Sequence, residues 1–170
     1  MAESSERSPA AASEGLCLGE WSRALDERFR LSLPADLSAA VASESGECVL
    51  AKERPGCVSL WHPVTWQESM ADGVDLVANK VQSGRLASKL TEVQMLGRLL
   101  STRHRTVPIA GRGRIAIPES FRDFLEVEAG SSLMIVGAAV CVEVWHPSRW
   151  SEHIGQHMPA FRELFDQLAG

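Results

Sequence analysis

The chain contains one segment twice, and this duplication constrains its fold more than any other feature. WHPVTW at 61–66 returns as WHPSRW at 145–150, an offset of 84 residues. The same offset aligns further identical residues without a gap: Arg28 with Arg112, Arg30 with Arg114, Pro34 with Pro118, Gly46 with Gly130, and Cys57 with Cys141. Between these identities, apolar residues match apolar residues. We therefore predict two copies of one supersecondary unit.

Each copy has the residue pattern of two strands, a short helix and two more strands. RLSLP and RIAIP alternate in the manner of a half-buried strand, and each ends at a proline that suits the first turn of a helix. The predicted helices are ADLSAAVA and ESFRDFLEV, and the strands that follow them are CVLAKE, CVSLWH, SLMIVG and VCVEVWH. Each copy is therefore predicted as β-β-α-β-β.

The repeated WHPxxW segment predicts a helix start. Its histidine takes the N-cap, its proline the N1 position, and its second tryptophan packs back on the first as a hydrophobic staple. The tryptophans are therefore interpreted as structural anchors rather than base-stacking residues: Trp61, Trp66, Trp145 and Trp150. His62 and His146 follow Cys57 and Cys141 by five residues, which places them on alternate strand faces and argues against a Cys/His metal site.

The spacing of these patterns divides the chain into five segments. They are a flexible tail at 1–15, a first copy at 16–66, a helical connector at 67–101, a second copy at 102–150 and a C-terminal helix at 151–170. One copy of about 50 residues buries too little surface to be secure alone. We therefore expect an α+β fold in which hairpins of the two copies interleave in one core, with pseudo-twofold symmetry and covering helices.

Two parts of this division depend on helix periodicity. Gly73, Asn79 and Gly84 are expected to interrupt any long helix in the first half of the connector. Apolar residues recur at helical spacing in the second half and again near the C-terminus: Leu86, Leu90, Val93, Leu96 and Leu100, then Phe161, Leu164, Phe165 and Leu168. Both stripes are expected to cover the sheets or to join neighbouring subunits.

Composition excludes several classes of protein. The sequence is 45% hydrophobic and 23% charged, which is typical of a folded protein. It has no stretch of roughly 18 apolar residues, and it opens on polar, acidic residues rather than a secretory signal, so we expect a cytoplasmic chain without a membrane partner. The cysteines form no CxxC pair, which supports neither a zinc site nor a disulfide framework: Cys17, Cys48, Cys57 and Cys141.

Signatures of catalysis are also missing from the sequence. It contains no GxSxG, HExxH, Walker or Rossmann motif, and its glycine cluster GRGRIAIP precedes a predicted strand rather than a helix. His104, His153 and His157 have no nucleophile at a recognisable spacing. We therefore expect no enzyme, no cofactor, no metal and no small-molecule substrate.

Charge is distributed unevenly along the chain. The net charge is -5, yet no acidic residue lies between Glu92 and Glu119. That interval holds five arginines: Arg98, Arg103, Arg105, Arg112 and Arg114. A segregated basic stripe can attract a polyanion even on an acidic chain, because local potential steers binding. The alternative is an ordinary solvated face.

The two repeated arginine pairs have the most functional content. At i and i+2 on one strand, the side chains of Arg28 and Arg30, or of Arg112 and Arg114, would stand about 6.5 Å apart on one face. Two guanidinium groups so placed can bind adjacent phosphates or guanine edges, as β-ribbon proteins do in the major groove. Spacing alone equally allows exposed strand residues or partners of nearby carboxylates.

The repeated pattern resembles a known family. LDERFRLSLP, an amphipathic stretch and CVSLWHPVTW, all present twice, are similar to MraZ, bacterial transcriptional regulators that are tandem members of the AbrB-like swapped-hairpin (double-split barrel) group. The likeness covers residues 17 to about 155. Asp26 and Arg30 carry the family's D-x-x-x-R signature, and Arg114 takes the arginine position in the second copy. Two residues depart from the pattern, Ala110 in place of the second aspartate and Phe29 where relatives usually have glycine.

The resemblance implies a function and a set of site residues. It implies a nucleoid-associated, sequence-specific DNA-binding regulator, acting as a repressor of the division and cell-wall gene cluster, that assembles as a ring-shaped homo-oligomer on short promoter repeats. Double-stranded DNA would be bound by four arginines with an orienting aspartate and two supporting arginines: Arg28, Arg30, Arg112 and Arg114, with Asp26, Arg103 and Arg105. The alternative is a structural or protein-interaction ring that has lost DNA binding.

Overall fold

A computed structural model describes residues 15–84 and 86–170 of the chain. The elements in chain order are β1 (Glu20–Ala24), β2 (Arg30–Ser32), α1 (Ala35–Val41), β3 (Glu47–Arg54), β4 (Cys57–Trp61), α2 (Pro63–Gln82), α3 (Leu86–Thr102), β5 (His104–Pro108), β6 (Arg114–Ala116), α4 (Glu119–Leu125), β7 (Ser132–Gly137), β8 (Val142–Trp145), α5 (Pro147–His157) and α6 (Phe161–Ala169). The predicted α+β class and the β-β-α-β-β order are confirmed. The predicted flexible tail lies, except for Gly15, outside the described residues.

The strands form two sheets in which the copies alternate. The larger sheet is antiparallel with the order β1-β7-β8-β4-β3-β5, and the smaller one pairs β2 with β6. β1 of the first copy therefore pairs with β7 of the second, and β5 of the second copy pairs with β3 of the first. The two copies exchange strands and form one folded unit.

A pseudo-twofold axis relates the two copies. Ser59 pairs with Glu143 in the middle of the larger sheet, and Leu31 pairs with Ile115 in the middle of the two-stranded ribbon of β2 and β6. Both pairs join residues 84 positions apart. The repeat offset therefore defines the axis, which passes through the centres of both sheets.

The gapless alignment predicted from the repeat is wrong in the outer hairpin. Leu50 lies opposite Leu60, and Ile135 lies opposite Val144. Leu60 and Val144 are 84 positions apart, but Leu50 and Ile135 are 85 positions apart. The second copy has one more residue between helix and strand, because Glu126 ends α4 in the left-handed conformation with φ of 60°. A bulge in β3 after Lys52 compensates for the shift before β4.

The core lies between the larger sheet and the ribbon. Leu31 and Ile115 are fully buried on the inner face of the ribbon, and α1 and α4 contribute Leu37 and Phe121. The larger sheet contributes alternate residues of its central strands: Cys48, Leu50, Val58, Leu60, Leu133, Ile135, Val142 and Val144. Burial of one such aliphatic side chain contributes about 1.5–3 kcal/mol, so this shared core joins the two copies firmly.

The WHPxxW segments start helices as predicted. His62 and His146 are N-caps whose Nδ1 atoms each accept a hydrogen bond from a backbone N–H at 3.2 Å, and the prolines take the N1 position. The staple tryptophans are in contact, with ring centroids 6.0 Å apart in the first copy and 5.4 Å in the second. Pro34 and Pro118, in contrast, lie one residue before their helices.

The connector differs from the prediction. Gly73 and Asn79 do not interrupt the helix, because α2 runs continuously from Pro63 to Gln82 and so crosses the predicted boundary at 66. A Cβ atom at Gly73 would lie 3.3 Å from Leu100 of α3, so this glycine allows close helix packing that offsets its low helix propensity. Gly84, with φ of +68°, lies beyond the helix end.

The C-terminal segment also differs. The predicted single helix at 151–170 is two helices, α5 and α6, joined by a 3₁₀ turn at Met158–Ala160. The apolar stripe of α6 is exposed rather than packed on a sheet: Phe161, Leu164, Phe165 and Leu168. None of the helices in the described parts of the chain combines the length and the apolar character needed to cross a lipid bilayer.

Candidate nucleic-acid interface

The ribbon of β2 and β6 places two of the repeated arginines on one outer face. Arg30 lies opposite Ala116, and Arg114 lies opposite Ser32, while Leu31 and Ile115 between them point into the core. Residues opposite each other in an antiparallel pair share a face, and diagonal neighbours are about 7–8 Å apart. Arg30 and Arg114 are such diagonal neighbours, so their partly exposed side chains can contact one ligand.

The turn before β2 is built around Asp26. Its Oδ1 accepts hydrogen bonds from the backbone N–H groups of Arg28 at 2.8 Å and Arg30 at 2.9 Å, and its Oδ2 accepts one from Arg30 Nε at 2.7 Å. The pKa of this carboxyl lies below its usual range. The largest cause is the hydrogen bond from the Arg30 backbone N–H, and the Arg30 side chain and the Arg28 N–H lower the pKa further. Asp26 therefore shapes the turn and orients the Arg30 guanidinium.

The equivalent turn in the second copy has no carboxylate. Ala110 exchanges backbone hydrogen bonds with Arg114, at 2.8 Å and 3.3 Å. Among residues 15–84 and 86–170, Arg114 Nε reaches only the backbone oxygen of Gly111, at 3.3 Å. Residues Gly111–Gly113 form a 3₁₀ turn in which Arg112 is left-handed, with φ of 65°. The Arg114 side chain is therefore not neutralised as Arg30 is, and the two halves of the site differ electrostatically.

The strand positions predicted for Arg28 and Arg112 are wrong. β2 begins at Arg30 and β6 begins at Arg114, so the first arginine of each pair lies in the turn. The period-2 argument fails because Phe29 and Gly113, between the two arginines, are left-handed, with φ of 57° and 69°. The turn arginines instead lie beside the two ends of the ribbon.

Phe29 departs from the glycine pattern, and an arginine contacts it. The guanidinium carbon of Arg122 lies 3.8 Å from the centroid of the Phe29 ring. At the equivalent place in the other half, a Cβ atom added to Gly113 would lie 3.1 Å from Ser38 Oγ. Sequence reasoning did not single out Arg122 or Ser38, although the repeat offset pairs these two residues with each other.

The predicted supporting arginines lie elsewhere. Arg103 precedes β5 and donates to the Lys52 backbone oxygen at 2.8 Å and to Glu53 at 3.2 Å. Arg105 is exposed on β5 and lies opposite Leu50. The five-residue strand β5, about 16 Å long, separates Arg103 from the turn that holds Arg112. The structure thus groups Asp26, Arg28, Arg30, Arg112 and Arg114 at the ribbon without Arg103.

The described parts of the chain contain no candidate metal site. No three of their His, Cys, Asp and Glu residues come together as a group that could hold a metal ion. All four cysteines are buried, and burial raises the pKa of the Cys48 and Cys141 thiols to about 12.

Comparison with known proteins agrees with the resemblance seen in the sequence. The family model described as "MraZ protein, putative antitoxin-like" matches residues 104–167, the second copy and most of the C-terminal helices. Proteins named "Transcriptional regulator MraZ" match over most of the chain. The protein from Roseiflexus castenholzii is 29% identical over 150 residues, which are 88% of this chain and 94% of that protein. The chain is therefore similar to MraZ proteins over most of its length.

Two further relatives span similar lengths. The "Transcriptional regulator MraZ" of Heliobacterium modesticaldum is 24% identical over 152 residues, 89% of this chain and 95% of that protein. The one from Arthrobacter sp. is 26% identical over 153 residues, 90% of this chain and 97% of that protein. The similarity to MraZ proteins therefore includes both copies and the helices between and after them.

Proposed function

We propose that the chain is a sequence-specific DNA-binding transcriptional regulator without a catalytic role. The observation that carries this proposal is the diagonal pairing of Arg30 and Arg114 on the outer face of the ribbon. Residues 26–32 and 110–116, which form the ribbon and its turns, hold four arginines against two acidic residues, Asp26 and Glu27. A positive surface therefore lies on a chain whose net charge is negative, and the names of the relatives support a regulatory role.

The geometry suits a duplex. A two-stranded ribbon fits the major groove, where a guanidinium can donate two hydrogen bonds to O6 and N7 of guanine. The turn arginines, Arg28 and Arg112, flank the ribbon and would bind phosphates on either side. In this proposal Arg30 and Arg114 supply both base and phosphate contacts, Asp26 orients Arg30, and Arg103 and Arg105 contribute only at long range.

The finer parts of the proposal follow from the resemblance and are supported by the topology. The exchange of strands between copies suits the AbrB-like swapped-hairpin architecture. The exposed apolar stripe of α6 suits self-association, and a ring would present many weak sites in register, so that avidity raises the affinity for short promoter repeats. We propose that the nucleoid-associated ring represses the division and cell-wall gene cluster.

One observation favours the alternative, a structural or protein-interaction ring without DNA binding. Asp26 forms a salt bridge with the Arg30 guanidinium, and the exposed Glu27 precedes Arg28 in the turn. In this reading the first half of the site would be too neutral to hold a polyanion.

Footprinting of the full-length protein on the DNA upstream of its own gene distinguishes these functions. A regulator protects a run of evenly spaced short repeats, and added salt removes the protection because bound phosphates release counterions. A matched fragment with scrambled repeats serves as control. Equal protection of both fragments, or protection of neither, would contradict the proposal.

A further inference from the structure

The residue between the two arginines of the first-copy turn has an unusual backbone conformation. Phe29 has a φ of 57°, in the left-handed region that bulky side chains rarely occupy. Its N–H donates to the Asp26 backbone oxygen at 3.0 Å, and its oxygen accepts from the N–H of Ile117 at 2.9 Å. The conformation of Phe29 therefore determines how the chain passes from Arg28 to Arg30.

Arg122, on α4 of the second copy, contacts both the Phe29 side chain and the residue that binds the Phe29 backbone. Its Nε donates to the backbone oxygen of Ile117 at 2.7 Å, and its guanidinium stacks on the Phe29 ring at 3.8 Å. Ile117 in turn donates to the Phe29 backbone oxygen. A planar cation at this distance from an aromatic face is attractive, and the contact is partly shielded from water. Both the ring and the backbone of Phe29 are thus fixed from the second copy.

The other half of the molecule shows what happens without these side chains. Gly113 takes the place of Phe29. Its backbone oxygen accepts a hydrogen bond from the Leu33 N–H at 2.9 Å. Ser38 takes the place of Arg122 and packs against Gly113, where no side chain is present. Glycine adopts a positive φ without steric cost, so this half needs no stacking partner. Phe29 with Arg122 and Gly113 with Ser38 are therefore two matched solutions at equivalent positions.

We propose that Arg122 is a positioning residue for the DNA-binding turn of the first copy. It stabilises the left-handed conformation of Phe29 and thereby the direction in which Arg28 and Arg30 are presented. The inference rests on the proposed function, since positioning matters only if the turn contacts DNA. It is distinct from a direct contact, in which the Nη atoms of Arg122 would themselves bind a phosphate.

A double-mutant cycle between Phe29 and Arg122 tests this role. The variants are Arg122→Ser, Phe29→Gly and the pair together, which copies the second-half solution into the first half. The probe is a labelled duplex from the DNA upstream of the gene, and its affinity for each full-length variant is measured by fluorescence anisotropy. We expect Arg122→Ser to weaken binding about tenfold in the presence of Phe29 and to have little effect when residue 29 is glycine.

Rescue distinguishes positioning from direct contact. Replacing Phe29 cannot restore a phosphate contact that Arg122 itself made, so equal losses in both backgrounds would overturn the proposal. Arg122→Lys keeps the charge but cannot both stack as a plane and donate to Ile117, so we expect it to lose affinity. Retention of full affinity by this lysine variant would show that only the charge of residue 122 affects DNA binding, and it would overturn the positioning role.

Amide hydrogen exchange separates failure of this inference from failure of the proposed function. Arg122→Ser should speed exchange at the N–H groups of Phe29, Arg30 and Ile117, and Phe29→Gly should restore their protection. This result without any DNA binding by the wild-type protein would sustain the conformational role and reject the DNA function. Unchanged exchange in Arg122→Ser would reject the positioning role itself.

Discussion

The carboxylate of Asp26 binds both the backbone and the side chain of Arg30, whereas Ala110, at the equivalent place, offers Arg114 only backbone groups. One arginine of the diagonal pair is therefore fixed and partly neutralised, and the other is not. The first is suited to geometric selectivity and the second to attraction of the polyanion.

Asp26→Asn tests the orienting role. Asparagine keeps an oxygen for the backbone hydrogen bonds but removes the charge that holds Arg30. We expect tighter binding to any duplex at low salt, together with an about fivefold smaller preference for the target sequence, since a freed guanidinium discriminates less between bases. Affinities for target and scrambled duplexes measure this, with Glu44→Gln, an exposed residue elsewhere, as the matched charge change. An unchanged preference would contradict the role.

Ala110→Asp is the reverse change in the second copy. The new carboxylate is expected to take the Arg114 guanidinium from the Gly111 oxygen and to neutralise it, as Asp26 does for Arg30. Binding should weaken about tenfold for every duplex, because the freer arginine of the pair is lost as a phosphate ligand. Ala169→Asp, at the exposed end of α6, controls for net charge. Equal affinities of the two variants would refute the asymmetry.

Core packing under the ribbon gives a stability prediction. Leu31 and Ile115 are both fully buried and directly opposite each other. Replacement of either with alanine should lower the free energy of unfolding by about 2–5 kcal/mol, and the double variant should depart from additivity, because the two side chains share one cavity. Chemical denaturation measures these values. Ser32→Ala, on the outer face, should change them by no more than about 0.5 kcal/mol.

The sequence predicted the structure correctly where both copies share the same alternation of apolar and polar residues. The repeat offset and the alternation in RLSLP and RIAIP predict Leu31 and Ile115 as core residues that face away from Arg30 and Arg114, and the structure confirms this. These inferences succeed because burial on one face of a strand imposes a period of two on the residues.

Other features depend on contacts between distant residues. The left-handed Phe29, which removes Arg28 from the strand, is accompanied by stacking with Arg122, 93 positions away. The continuity of α2 through Gly73 depends on its packing against Leu100. Local propensity disfavours both conformations, so no reading of the neighbouring residues alone predicts them.

Glu143, on the pseudo-twofold axis, gives a pH-dependent prediction. Burial, and to a lesser extent the nearby Glu53 carboxylate, raise the pKa of Glu143, although a hydrogen bond from the Cys57 thiol at 3.5 Å opposes the shift. The folded state therefore binds this proton more tightly than the unfolded state, so stability falls as pH rises from the unfolded pKa through the raised folded pKa.

Glu143→Gln should remove this effect. The variant is expected to be more stable than the wild type at pH 7. The difference should shrink as pH falls through the raised folded pKa and should vanish below about 4, the unfolded pKa of glutamate. Denaturation midpoints at several pH values measure it, with the exposed Glu152→Gln as control. A variant that is less stable at pH 7, or equally stable at all pH values, would contradict this assignment.

The central claim is that the ribbon arginines bind DNA, and the salt dependence of binding tests it most directly. The double variant Arg30→Ala with Arg114→Ala is compared with the wild type and with Arg23→Ala plus Arg98→Ala, which removes two exposed arginines that belong neither to the ribbon nor to its turns. We expect the ribbon variant alone to lose target preference and to show a slope of log affinity against log salt that is smaller by about two, with assembly unchanged. Wild-type affinity and slope in the ribbon variant would contradict the claim.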